Sequence, residues 1–156
     1  MKNKERKRIY KLYNHLYERH YIDERWSCFY CNSPADTLDH VPPLSWLEPY
    51  GIEAFKKARI PLVTIPCCLE CNVQLGDKKL FTVDARLSHL EKIYHDFFDE
   101  LTHWETEEIE NMGESFKKSL KVQKHREDEL KEKIRAIEQR SVKPWTFPDF
   151  YDYEKP

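Results

Sequence analysis

Glycine and long apolar runs are both scarce in this chain of 156 residues. Only three residues are glycine, whereas charged residues make up 35% and aromatic residues 13%. This profile favours helices over a sandwich or a barrel. No apolar run approaches the roughly 20 residues that span a bilayer, and the polar stretch from Met1 to Arg25 lacks the apolar centre of a secretory signal. We therefore expect a soluble, cytoplasmic protein without a membrane partner.

Positive charge is missing from the stretch between His95 and Phe116, where eight acidic residues stand without a lysine or an arginine. The stretch from Met1 to Arg25 shows the opposite imbalance, with eight basic and four acidic residues. The formal net charge of −2 conceals this asymmetry. A basic segment beside an acidic one favours a polyanion as the partner of one face. A solvated helix with a charged face explains the basic segment equally well.

The hydrophobic pattern predicts helices at both ends of the chain and two short strands between them. Apolar residues recur every three or four positions over 3–21, which predicts a helix whose other face is basic. Six prolines between Trp26 and Lys79 exclude long helices from most of that stretch. Within it, residues 37–41 and 62–65 are predicted as strands, and a helix is predicted to begin near Cys68.

Two apolar seams follow, over 84–104 and 116–137, and their register breaks at 111–113. The seams can fold back as a hairpin or pair with a second subunit in a homodimer. The last stretch is predicted to be an extended tail that packs through Trp145, Phe147 and Phe150. The chain is thus divided into a basic helix (1–25), a core (26–83), a helical arm (84–140) and a tail (141–156).

All five cysteines lie in the core segment, and four of them form two C-x2-C pairs, Cys28 with Cys31 and Cys68 with Cys71. In a reducing compartment cysteines persist as free thiols or metal thiolates. A two-residue spacer lets both thiolates of a pair reach one ion, so two pairs complete the tetrahedral shell of a structural Zn²⁺. Cys67 is an alternative to Cys68, but its spacing to Cys71 matches the first pair less well. Cys67 is therefore predicted to be a bystander.

An aspartate and a histidine stand side by side between the cysteine pairs, in the stretch TLDHVPPLS. Phosphodiester hydrolysis needs a base to activate water and a divalent cation to neutralise charge on the phosphate. His40 suits the first role, whereas the oxygens of Asp39 and Asn72 suit a hard cation. Adjacent residues of a regular strand point to opposite faces, so a shared site requires an irregular backbone here. Pro42 and Pro43 favour an early exit from the strand.

The order C-x2-C, Asp-His-x-Pro, C-x2-C-Asn resembles the zinc-bearing branch of the HNH nucleases, the ββα-metal fold, and is similar to that of phage recombination endonuclease VII. The resemblance covers about residues 28–79. It implies an α+β fold class with a small zinc-stabilised core, and metal-dependent hydrolysis of DNA. His40 would be the general base, and Asp39 and Asn72 would hold one Mg²⁺ or Mn²⁺.

Two positions depart from the pattern of that family. The asparagine that helps to orient the histidine is missing from residues 60–67, so Thr64 or a backbone carbonyl would have to hold the other ring nitrogen of His40. Loss of such a partner costs about one or two orders of magnitude in activity. The family often has a lysine three residues after the metal-binding asparagine. A leucine stands there in this chain, so Lys78 or Lys79 would have to approach the phosphate.

The predicted architecture is an α+β, zinc-bound HNH core preceded by a basic helix and followed by a helical arm. The predicted function is that of an endonuclease acting on DNA. A catalytically weak or inactive zinc module that binds nucleic acid or a partner protein is the alternative, and an assembly subunit built on the long seams is a third interpretation. The other six histidines lie on predicted helices and give no second metal site.

Overall fold

The computed structural model describes residues 2–19, 26–101, 103–142 and 144–145. The end of the predicted first helix at residues 20–21 and the predicted contacts of Phe147 and Phe150 lie outside these residues. None of the helices in the described ranges is both long enough and apolar enough to cross a membrane.

The N-terminal helix, α1, spans Asn3–Tyr13 and ends well before the predicted boundary at residue 21. A 3-10 turn at Asn14–Leu16 follows, and a short strand, β1, spans Glu18–Arg19. The helical conformation does not continue to residue 21 because Tyr17 turns inward to a small apolar core. The next residue, Glu18, is already in the sheet, where its N–H donates to the carbonyl oxygen of Leu62 at 3.0 Å.

A three-stranded sheet forms the centre of the molecule. Strand β2 spans Thr37–Val41 as predicted, and β3 spans Val63–Cys67, one residue later at its start and two at its end than the predicted 62–65. The strand order is β1-β3-β2, with β2 antiparallel and β1 parallel to β3. Strand β2 is therefore an edge strand.

Two short helices that the sequence pattern did not predict connect β2 to β3. A 3-10 turn at Leu44–Trp46 leads into α2, Leu47–Tyr50, and α3 spans Ile52–Lys57. Gly51 separates the two helices with a φ of +76°, a conformation that side chains rarely tolerate.

The remaining helices are α4, Leu69–Leu75; α5, Val83–Glu100; α6, Thr106–Glu110; and α7, Glu114–Arg140. Thr82 caps α5, since its hydroxyl oxygen accepts from the Ala85 N–H at 3.2 Å. The first predicted seam extended to Trp104, but α5 ends at Glu100. Helix α7 begins just after the predicted break at 111–113.

Helices α5 and α7 pack against each other within the chain, so the two apolar seams form a hairpin. Their buried faces belong to the same core as the sheet and the cysteine cluster. That core includes Val41, Ile65, Leu87, Leu90, Tyr94, Leu130, Ile134 and Ile137. The predicted α+β class is confirmed, and the helical arm shares its apolar core with the cysteine-rich segment.

Candidate zinc centre and adjoining cleft

Four buried cysteines converge where the two C-x2-C pairs meet. The sulfur atoms of Cys28, Cys31, Cys68 and Cys71 all lie within 4.8 Å of one another, and those of Cys31 and Cys68 are 3.7 Å apart. Four sulfurs at about 2.3 Å from a tetrahedral zinc ion lie about 3.8 Å from one another. The predicted quartet is thus suited to hold a structural Zn²⁺.

The start of α4 positions the second pair of cysteines. Cys68 is the N-cap residue, and its sulfur accepts a hydrogen bond from the Cys71 N–H at 3.4 Å. The first pair lies in a turn where the Asn32 N–H donates to the carbonyl oxygen of Cys28 at 2.9 Å. Asn32 has a φ of +62°, which asparagine tolerates better than most residues. Local backbone geometry therefore presents both pairs.

Side chains from the two long helices contact the sulfur atoms. The Tyr94 hydroxyl of α5 lies 3.0 Å from the Cys71 sulfur, and the Lys133 ammonium of α7 lies 3.4 Å from the Cys31 sulfur. Lys133 also bonds Ser33 at 3.1 Å. Four thiolates around one Zn²⁺ carry a net charge of −2, so a buried ammonium beside them stabilises the charged cluster.

The fifth cysteine, Cys67, is fully buried and lies beside the quartet, but its sulfur is not one of the four that converge. Its thiol donates to the carbonyl oxygen of Cys68 at 3.3 Å. Cys67 ends β3, and it is Cys68 that caps the helix and reaches the other three sulfurs. The spacing predicted that Cys68 and not Cys67 joins the other three cysteines, and the structure confirms this grouping.

Strand β2 sends Asp39 and His40 to opposite faces of the sheet. The strand is paired with β3 over its whole length, with Asp39 opposite Ile65 and His40 opposite Thr64. The early strand exit that Pro42 and Pro43 were expected to cause is therefore wrong, because pairing continues through Val41. In a regular strand the side chains of successive residues diverge, as they do here.

Asp39 lies in a buried polar network. One guanidinium nitrogen of Arg86, in α5, donates to both Asp39 carboxylate oxygens at 2.7 and 2.8 Å, and the Tyr30 hydroxyl donates to Oδ2 at 2.6 Å. Burial raises the pKa of Asp39, whereas Arg86 and Tyr30 act in the opposite direction. Oδ1 accepts one hydrogen bond, so it retains a lone pair. Sequence reasoning missed Arg86, since an arginine beside an apolar seam gives no signal of burial.

His40 packs under the N-terminal helix and is held by an asparagine. Its Nε2 lies 2.7 Å from the side-chain oxygen of Asn14, and its ring contacts Tyr17 and Tyr10 edge-on, with centroids 4.9 and 6.0 Å away. Because an amide oxygen only accepts, Nε2 carries the proton and Nδ1 keeps a lone pair. Within the described ranges, no residue hydrogen-bonds Nδ1.

Burial keeps the imidazole neutral. Burial first, and then the nearby charge of Arg86, lowers the pKa of His40 to about 4. The Tyr17 hydroxyl, whose pKa burial raises, donates to the carbonyl oxygen of Pro42 at 2.6 Å and fixes the chain just after the histidine. At neutral pH His40 is therefore an uncharged base.

Neither of the two partners predicted for His40 holds its ring. Thr64 is the cross-strand neighbour of His40, but its hydroxyl points to the carbonyl oxygen of Glu18 at 3.5 Å. The group that holds Nε2 is the side chain of Asn14 and not a backbone carbonyl. Asn14 fills that place from the end of α1. No local sequence pattern connects it with His40, because the two are 26 positions apart and meet only in the fold.

Asn72 lies in α4 and faces β2. Its amide nitrogen donates to the Thr37 hydroxyl at 3.0 Å, and the Thr37 hydroxyl donates to the carbonyl oxygen of Cys67 at 2.7 Å. This chain of hydrogen bonds orients the amide so that the oxygen of Asn72 has no donor within the described part of the chain. The amide oxygen is thus available to a ligand.

A cleft of about 470 Å³ is lined by all three predicted catalytic residues, although the side chains of Asp39 and His40 leave β2 on opposite faces and do not converge on one point. Asp39, His40 and Asn72 all line it, together with Arg6 of α1 and Asp77. Those last two form an exposed ion pair at 3.4 Å. The cleft lies directly beside the cysteine cluster, since Asn72 follows Cys71 in the same helix.

The two lysines predicted to approach a phosphate are exposed and lie just beyond α4. The Lys78 ammonium contacts the carbonyl oxygen of Gln74 at 2.5 Å. The Lys79 ammonium lies over the rings of Trp46 and Tyr50, 4.8 and 5.9 Å from their centroids. Neither lysine lines the cleft around His40.

One histidine outside the core joins a second group of potential metal ligands, which the sequence pattern did not predict. Glu91 and His95 of α5 and Glu138 of α7 bring their ligand atoms within 4.8 Å of one another. His95 and Glu138 are exposed, and they lie 3.6 Å apart as an ion pair when the histidine is protonated.

Comparisons with known proteins leave the site to be interpreted from its own chemistry. No protein-family model, no curated protein and no solved structure matches the chain.

Proposed function

We propose that the chain is a metal-dependent endonuclease of the HNH type that hydrolyses DNA phosphodiester bonds. One observation supports this above the others: a neutral histidine with a free ring nitrogen and an asparagine with a free amide oxygen line the same cleft. A general base and an oxygen ligand for a hard cation are the two groups that the reaction requires.

His40 would act as the general base through Nδ1. Asn14 accepts the Nε2 proton, so the lone pair for a water molecule is on Nδ1, and the low pKa keeps it unprotonated at neutral pH. A nearby asparagine thus meets the requirement that the sequence pattern left open. Arg6 at the cleft wall would offer its charge to a phosphate once its exposed ion pair with Asp77 opens.

Asn72 and Asp39 would hold one Mg²⁺ or Mn²⁺. Asn72 offers its amide oxygen, and Asp39 offers the lone pair that Arg86 and Tyr30 leave on Oδ1. The bound ion would neutralise charge on the scissile phosphate. A zinc ion on the four cysteines would hold β2 and α4 in fixed positions relative to each other. Binding of the catalytic ion would therefore depend on the structural zinc.

The alternative is a catalytically inactive zinc module that binds nucleic acid or a partner protein. The contacts of Asp39 favour it, because both carboxylate oxygens already accept hydrogen bonds and the side chain is only 4% exposed. In that case Asp39 and Arg86 would serve only to join β2 to α5.

Nicking of supercoiled plasmid separates the two functions. Wild-type protein is first incubated with plasmid in Mg²⁺ or Mn²⁺. In a second reaction a chelator removes the metal ions. In a third, excess Mg²⁺ is added back to the chelated protein, either with or without Zn²⁺. The nuclease nicks only with the divalent ion, His40→Ala abolishes nicking, and His125→Ala, an exposed position on α7, serves as the matched control. Binding of plasmid without nicking by wild-type protein would favour the inactive module.

A further inference from the structure

A second cleft, of about 400 Å³, lies under the N-terminal helix and adjoins the first. The two clefts share four lining residues, which are Arg6, His40, Leu44 and Asp77. Ile9 and Tyr10 of α1 supply the rest of the apolar surface. Ligand pockets commonly have about 300 to 1,000 Å³, so there is room for a flat aromatic ring beside the proposed general base.

Tyr10 offers a stacking surface to whatever enters. Its side chain is 52% exposed although it lines the cleft, and its ring meets His40 edge-on with centroids 6.0 Å apart. The two rings are nearly perpendicular, at 79°, so His40 can cover at most one face of the tyrosine ring. Exposed aromatic faces next to positive charge are the usual platform for unpaired bases of a nucleic acid.

The rim of this cleft is basic. Lys7 and Lys11 lie one helical turn apart on α1 and both line the cleft, and neither has an ion-pair partner among the residues that the structure describes. Arg6 also lines it, but its charge is offset by Asp77 at 3.4 Å. The two free ammonium groups therefore suit the phosphates on either side of a base.

The wall contains a polar atom without a partner. Ser45 lines the cleft, and in the described ranges its hydroxyl oxygen is the one buried side-chain nitrogen or oxygen that makes no hydrogen bond. A buried hydroxyl that lacks a partner is unfavourable, so it would gain a hydrogen bond if this wall opened towards the polar edge of a ligand.

We infer that this cleft binds an unpaired DNA base stacked on Tyr10, with the flanking phosphates on Lys7 and Lys11. The inference rests on the proposed function and narrows its substrate to DNA with an unpaired nucleotide next to the scissile phosphate. His40 lines both clefts, so a base in one places its neighbouring phosphate at the other. In a fully paired duplex the base stays stacked within the helix, so it does not enter the cleft and adds nothing to the binding affinity.

Two labelled duplexes that differ only in their single-stranded tails test this inference. One tail carries thymidines and the other the same number of abasic sites, so the phosphate charge is equal. Fluorescence anisotropy without added divalent ion measures binding without cleavage. Wild-type protein binds the thymidine tail about 5- to 150-fold more tightly, the range expected for stacking one base.

Variants on α1 provide the controls. Tyr10→Ala removes the preference for bases, Tyr10→Phe keeps it, and Leu12→Ala, an exposed apolar position outside the cleft, leaves it unchanged. Lys11→Ala weakens binding of both tails alike. Equal affinity of wild-type protein for the two tails, or a preference that survives Tyr10→Ala, overturns the inference. Base preference without plasmid nicking would contradict the nuclease alone, and nicking without base preference would contradict this cleft alone.

Discussion

Arg86 determines how the residues around the candidate catalytic histidine are held. Its side chain is fully buried, and its nitrogens bond the Asp39 carboxylate and the backbone oxygens of Leu80 and His40. The contact with Asp39 is buried, and the contacts with the two backbone oxygens are partly buried. A buried arginine with these partners fixes β2 against α5, and its loss would leave the buried Asp39 carboxylate without a cation and with only the Tyr30 hydroxyl as a donor.

Replacement of Arg86 by methionine is expected to destabilise the protein by about 3 to 5 kcal/mol, because the buried Asp39 carboxylate loses its cationic partner. Urea unfolding of the variant and of wild-type protein measures the difference. Arg135→Met is the control, since Arg135 pairs with Glu132 on the exposed face of α7 and its removal costs at most about 0.5 kcal/mol. Equal stability of the two variants would contradict the role of Arg86.

The buried imidazole of His40 is expected to make stability depend on pH. Its pKa is about 4 in the folded protein against 6.5 in the unfolded chain, so the unfolded state binds more protons between these values. Stability is therefore full above pH 6.5 and falls as the pH drops towards 4, by about 3 kcal/mol at most for this group.

His40→Gln provides the comparison for that pH dependence. Unfolding free energies of both proteins are measured at several pH values between 4 and 7 without added divalent ion. The variant should lose less stability than wild-type protein across this window. Parallel curves for the two proteins would show that His40 is not buried in its neutral form.

At the scale of the helices, α7 completes the surroundings of the cysteine cluster. Lys133 reaches the Cys31 sulfur and also lies 3.3 Å from Glu70, and Arg126 of the same helix forms a second ion pair with Glu70. The side chain of Lys133 is 8% exposed. Helix α7 thus stabilises the start of α4, where two of the four cysteines lie.

Lys133→Met is expected to speed the loss of zinc, because the thiolates lose a charge-assisted hydrogen bond. A chromogenic chelator that competes for zinc measures the transfer rate, which should rise about 10- to 100-fold. Lys118→Met, at an exposed position of the same helix, should transfer zinc at the wild-type rate. An unchanged rate for Lys133→Met would mean that the ammonium contributes nothing to the cluster.

The sequence predicts the secondary structure of some elements better than that of others. Period-two and period-3.6 patterns predicted β2 and the long helices, and the C-x2-C spacing predicted which four cysteines meet. Contacts between distant segments had no such signal: Asn14 reaches His40 and Arg86 reaches Asp39 only after the chain has folded. The short helices α2 and α3 were missed because prolines stand within and around them, as Pro49 does in α2, and because their apolar positions are too few to show a period.

At the scale of the whole molecule, one apolar core joins the cysteine cluster, the sheet and the helical hairpin. Buried residues of α5 and α7 such as Leu90 and Ile134 belong to the same cluster as Cys28 and Ile65. The segment boundary expected at residue 84 therefore crosses a continuous core. Zinc binding and helix packing should be coupled in folding.

Removal of one of the four clustered cysteines is therefore expected to unfold more than the cysteine-rich segment. Cys28→Ser should lower zinc content and the helical signal in circular dichroism together, since α5 and α7 lose the surface they pack on. Cys67→Ser, outside the quartet, should keep its zinc. A Cys28→Ser protein that retains the full helical signal and a single thermal transition would show that the helical hairpin folds by itself.

The most direct test of the central claim is the rate of plasmid nicking by His40→Ala in Mg²⁺, measured beside its zinc content and its circular dichroism. The geometry of the cleft predicts a folded, zinc-loaded variant with no detectable nicking under conditions in which wild-type protein and His125→Ala nick the plasmid. A folded His40→Ala protein that nicks DNA at the wild-type rate would contradict the proposed mechanism.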